Sequence, residues 1–107
     1  MKRQVIGWNE RDFWVSHGYA PLRVAWSDVR AVFTRVAAYP TLRVDLFGVE
    51  YNDNDVLELH SDALNLAAFR SEVYRRFEIS PDDQARLEPG ETHLVSLSPG
   101  SAPKLRA

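Results

Sequence analysis

The stretch 63–77 constrains the fold most. Its Leu66, Phe69, Val73 and Phe77 recur at three- and four-residue intervals, the spacing that lines one face of an α-helix. Glu72, Arg75 and Arg76 fall off that stripe. Ser61 or Asp62 is placed to cap the start, and Arg75-Arg76 suits the negative end of the helix dipole. A single apolar stripe has to be buried against another element. The runs before it are short and strand-like, so the helix is expected to close a sheet.

Val5-Ile6-Gly7-Trp8 and Phe13-Trp14-Val15-Ser16 are apolar runs parted by Asn9-Glu10-Arg11-Asp12, which reads as a β-hairpin. Gly18 and Pro21 punctuate the connection that follows. Leu22, Val24 and Trp26 then alternate with Arg23 and Ala25, the period of a half-buried strand. Two readings stand for the next segment. Val29, Val32, Phe33 and Val36 fall at helical spacing with Ser27 as a candidate cap, whereas 32–39 is rich in β-branched and aromatic residues and meets Pro40. The composition favours a turn at Ser27-Asp28 followed by a strand.

Leu42, Val44 and Leu46 alternate with Arg43 and Asp45, and the phase then slips to Phe47, Val49 and Tyr51. A β-bulge near Gly48 would hold both trios in the core. Asn52-Asp53-Asn54-Asp55 forms a turn, and Leu57 and Leu59 point inward from a strand whose other face carries Val56, Glu58 and His60. Beyond the helix, Ser80-Pro81-Asp82-Asp83 is a second helix start, 93–97 returns as a last strand, and 98–107 is a flexible tail. The expectation is one α+β domain over 1–97: a bent antiparallel sheet packed against one C-terminal amphipathic helix.

The string Val24-Ala25-Trp26-Ser27-Asp28-Val29, the strand pair ending near Tyr51, a further strand and the amphipathic helix resemble small bacterial pleckstrin-homology-like proteins over roughly Leu22 to Phe77. The resemblance implies a curved antiparallel sheet with a C-terminal helix across it. Phosphoinositide-binding members carry a basic cluster in the first hairpin loop. Here that loop is Asn9-Glu10-Arg11-Asp12, with two acids and one arginine, so lipid-phosphate binding does not carry over.

Composition narrows the function. A chain of 107 residues, 45% hydrophobic, supports one core and is short for two. A net charge of -2 supplies no basic footprint for nucleic acid. With no cysteine there are no disulfides, thiol nucleophiles or thiolate zinc sites. Asn9-Glu10-Arg11-Asp12 interrupts the apolar N-terminus too early for a signal peptide, and no run approaches the roughly 20 residues of a membrane-spanning helix. A cytoplasmic protein without membrane insertion is expected.

No constellation indicates catalysis, a metal or a cofactor. His17, His60 and His93 lack metal-ligand spacing, and the Asn52–Asp55 turn fails as a calcium loop because Leu57 and Glu58 occupy its later positions. Ser16-His17 and Ser61-Asp62 supply triad residue types without a Gly-x-Ser-x-Gly elbow, and the five glycines are scattered. Trp8, Trp14, Trp26, Tyr19 and Tyr39 remain. Trp26 is assigned to the core, and Trp14 and Tyr19 are the candidate binding residues. Arg23, Arg35 and Arg43 are expected on one polar strand face, interleaved with Asp45 and Glu58. The resulting expectation is a non-catalytic protein that recognises another protein, with a toxin-blocking immunity protein as a specialised form. The competing class is a small-ligand carrier or hydrolase-like enzyme using a sheet–helix cavity, whose sign would be His60 converging there with carboxylates.

Overall fold

The computed structural model describes residues 3–18, 20–39 and 42–97, with the side chain of Tyr39 outside the described set. The tail expected at 98–107 also lies outside the described residues. In chain order the elements are β1 (Val5–Trp8), β2 (Asp12–Ser16), β3 (Leu22–Ala25), a 3₁₀ turn (Trp26–Asp28), β4 (Val29–Tyr39), β5 (Leu42–Tyr51), β6 (Asp55–His60), α1 (Leu66–Arg76), α2 (Pro81–Arg86) and β7 (His93–Ser96). The fold is α+β with two antiparallel sheets, ordered β1-β2-β3 and β6-β5-β4-β7.

Local chemistry explains the turns. In the β1–β2 hairpin, Asn9 Oδ1 accepts from the backbone N–H groups of Arg11 and Asp12 at 2.8 and 2.9 Å. After β3 the 3₁₀ turn buries Trp26 and redirects the chain into the second sheet. The segment with two readings is a strand, β4, as its β-branched content favoured.

The core lies between the inner faces of the two sheets. Ile6, Phe13, Val15 and Val24 come from the first sheet, and Val32, Phe47, Val49 and Leu59 from the second. The helical stripe fills the space between them. Phe69, Val73 and Phe77 are buried, and Leu66 is half-buried at the edge. Phe69 is the centre, with ring centroids 5.0 Å from Phe13, 5.8 Å from Trp8, 5.8 Å from Trp26 and 6.4 Å from Phe47.

The structure corrects three expectations. First, α1 begins at Leu66, and neither Ser61 nor Asp62 caps it; Asn65 occupies the N-cap with φ 70°. Residues 63–65 tie the chain to β1 instead. Ile6 N–H donates to Leu64 O at 3.2 Å, Leu64 N–H to Gln4 O at 2.8 Å, and Asn65 Nδ2 to Ile6 O at 3.0 Å. The Gln4 side chain extends this seam along the edge of β6: Nε2 donates to Glu58 O at 3.1 Å and Oε1 accepts from His60 N–H at 2.8 Å. Its amide thus acts as one peptide unit of an added strand and covers part of an exposed edge.

Second, α1 is not C-terminal, because the second helix and last strand that the sequence indicated beyond it both form: α2, capped by Ser80 Oγ accepting from Asp83 N–H at 3.2 Å, and β7, which pairs with β4. Third, no bulge occurs at Gly48. The β4–β5 register runs unbroken from Ala31↔Glu50 to Tyr39↔Leu42, and its one irregularity lies between Val29 and Ala31. β5 is a central strand buried on both faces from Leu46 to Val49, so apolar residues of either parity are accommodated without a phase slip. Arg76, off the apolar stripe as expected, is half-buried against the first hairpin. Its guanidinium lies 4.4 Å from the Trp26 ring centroid and donates to Glu10 O at 3.2 Å and Asn9 O at 2.9 Å.

Candidate functional site

Strand alternation separates the tryptophans. In β2, Phe13 and Val15 point into the core, so Trp14 between them faces outward, paired in register with Gly7 on β1 and Arg23 on β3. Gly7 is the reason a large ring fits there. A Cβ at Gly7 would lie 2.5 Å from Trp14 Nε1, so the indole rests on bare backbone. Arg23 completes the arrangement from the other side, its guanidinium 4.5 Å from the Trp14 ring centroid and its Nη1 3.2 Å from Asp12 Oδ2. The result is a half-buried aromatic held between a glycine and a stacked cation, with the exposed Val5 on the same face. A ring fixed in this way loses little entropy on docking.

The other sequence candidates are dispersed. Trp26 is buried, as assigned, and its Nε1 donates to Asn9 O at 2.9 Å. Trp8 packs half-buried on Phe69. Tyr19 lies outside the described residues. The three arginines do not share one face. Arg23 belongs to the first sheet, and the register Arg35↔Leu46 places Arg35 on the face of β4–β5 opposite that of Arg43 and Asp45. Arg35 grips Glu58 with a two-pronged contact, Nε on Oε2 and Nη2 on Oε1, the latter at 2.8 Å. That hydrogen bond holds the Glu58 carboxyl below its ordinary range, helped by the positive charge of Arg35 and by His60 and opposed by burial. Arg43 stands 3.7 Å from Asp45.

Between the second sheet and α1 lies a cleft of about 20 Å³, room for roughly one water, lined in part by Thr34, Asp45, Phe47, Leu66 and Arg70. Arg70 closes it. Its guanidinium lies 5.6 Å from the Phe47 ring centroid, and Nη2 donates to Leu87 O at 2.9 Å and to Tyr74 Oη at 3.1 Å. His60 is exposed and does not line this cleft, although its strand partner Leu46 and its neighbour Ser61 do. His93 sits on β7 at the opposite edge, its Nε2 3.3 Å from Asp83 Oδ1.

Among the described residues no group of three or more His, Asp or Glu is placed to hold a metal ion, and no helix is long and apolar enough to cross a membrane. Comparison with known proteins gave no match: no family model fits the chain, and no curated protein or solved structure is significantly similar to it. The sequence signal missed for this site was Gly7. A glycine inside a strand, two residues from the hairpin turn, marks a close approach; the β1–β2 register, which pairs Gly7 with Trp14, identifies what approaches.

Proposed function

We propose that this chain is a non-catalytic binding protein that recognises another protein through the outer face of its first sheet, with Trp14 as the anchor. The observation that carries the reading is the outward, pre-ordered indole resting on Gly7 and stacked by Arg23. Tryptophan and arginine are among the side chains that most often dominate interfaces. The dispersed histidines favour this reading over a hydrolase. A toxin-blocking immunity protein is one form of it. The likeness to pleckstrin-homology-like proteins belongs to the same proposal; antiparallel sheets with α1 across them support it, and the elements after α1 depart from its pattern.

The test is affinity capture with the full chain, comparing wild type, Trp14→Ala and the double variant His60→Ala/Asp62→Ala. A partner identified by mass spectrometry should be lost with Trp14→Ala and kept by the double variant. Retention with Trp14→Ala, or loss through the His60/Asp62 change, contradicts the assignment.

A further inference from the structure

An antiparallel sheet with one face in water normally shows that face as polar. The outer face of the second sheet departs from this rule. The register places Leu94 beside Phe33, Phe33 beside Gly48, Ala31 beside Val56's partner Glu50, and Arg35 beside Leu46, while Val44 and Leu42 continue the face toward the end of the β4–β5 hairpin. The exposed fractions are high: 54% for Leu94, 53% for Val56 and 59% for Leu42. These three leave water-facing apolar surface on β7, β6 and β5. Phe33 flattens the centre, because its ring lies over Gly48, where a Cβ would come within 2.0 Å of Phe33 Cζ.

Charge and area indicate what covers it. The central charges, Arg35 and Glu58, neutralise each other in their two-pronged pair, so a strongly acidic or basic partner finds no opposite charge in the middle of the face. An identical face meets it without net repulsion there. Glu50 and His60 lie toward opposite ends of the strands, so an antiparallel stack brings the carboxylate of one copy toward the imidazole of the other. At about 3.4 Å per residue and about 4.8 Å per strand, the 11, 10, 6 and 4 residues of β4, β5, β6 and β7 give a plan area of roughly 500 Å². Two copies then cover roughly 1,000 Å², the lower bound for a specific interface. We propose that this chain self-associates as a weak two-fold dimer by stacking the outer faces of its second sheet, a surface distinct from the Trp14 face. Face-to-face stacking of two sheets is an ordinary packing mode, and the same patch on both copies is what a two-fold dimer requires.

Sedimentation equilibrium of the full chain, from low-micromolar to near-millimolar concentration, tests this. The apparent mass should rise from the monomer's 12.2 kDa toward twice that value. Val56→Glu and Leu94→Glu should each weaken association about tenfold or more, since each buries an unpaired charge in the stack. Leu22→Glu, at a comparably exposed leucine on the first sheet, should leave the association unchanged. If a thermal melt shows that either glutamate variant is unfolded, Leu42→Glu is read in its place. A constant 12.2 kDa across the range overturns the proposal. So does a dimer indifferent to the substitutions on the second sheet, or one lost through Leu22→Glu.

Discussion

Replacing Phe69 by alanine should remove the centre of the fold. The ring is fully buried and meets four others, those of Trp8, Phe13, Trp26 and Phe47, with centroids between 5.0 and 6.4 Å away. Truncating a buried Phe typically costs about 3–5 kcal/mol, from lost transfer energy plus the cavity left behind. Aromatic pairs at these distances, stacked, tilted or edge-on, each contribute about 0.5–1.5 kcal/mol beyond area. Four of them place this site in the upper half of the range, about 4–5 kcal/mol. Urea denaturation followed by tryptophan fluorescence reads the effect. With a slope of about 1–3 kcal/mol per molar, the midpoint should fall by roughly 1.3–5 M. Many domains have only about 5–15 kcal/mol in total, so Phe69→Leu, which keeps an apolar side chain, serves as the folded companion. A loss under about 1 kcal/mol for the alanine variant would refute the placement of α1 over the core.

Gly48→Ala should cost about 1–3 kcal/mol by driving a methyl group into the Phe33 ring. In a Phe33→Ala background most of that cost should vanish, and equal costs in both backgrounds would show that the ring lies elsewhere. Acid should weaken the fold through Glu58 and Glu72, held below their ordinary range chiefly by hydrogen bonds from Arg35 and Arg75. A lowered folded-state value means the stabilisation is complete above the unfolded glutamate value of about 4.3 and is lost as pH falls through the folded one. Urea midpoints measured from neutral pH downward should fall less steeply for Glu58→Gln than for wild type, and parallel curves would contradict this.

Local periodicity made much of the fold legible. The stripe Leu66, Phe69, Val73 and Phe77 and the alternating runs of β1, β2 and β6 needed only neighbours in sequence to be read. The division into two sheets did not show, because its seam depends on groups more than fifty residues apart: Gln4 with Glu58 and His60, Asn65 with Ile6. The same seam delays α1 to Leu66. The Leu46–Val49 run suggested a bulge because alternation assumes solvated outward residues, whereas the outward Leu46 and Gly48 are buried too, Gly48 beneath the Phe33 ring. The faces of Arg23, Arg35 and Arg43 depended on register, which no single strand reveals. For the candidate site, the outward direction of Trp14 follows from Phe13 and Val15, whereas the Gly7 platform and the Arg23 stack required the pairing of three strands.

The central claim is that Trp14 anchors a protein partner from the outer face of the first sheet. Its most direct test is a calorimetric titration of the purified, captured partner with wild type and with Trp14→Ala, both confirmed as folded by thermal melts. A hot-spot aromatic contributes about 2 kcal/mol or more, so the dissociation constant should rise roughly 30-fold or more. An unchanged dissociation constant for a folded Trp14→Ala variant would contradict the account.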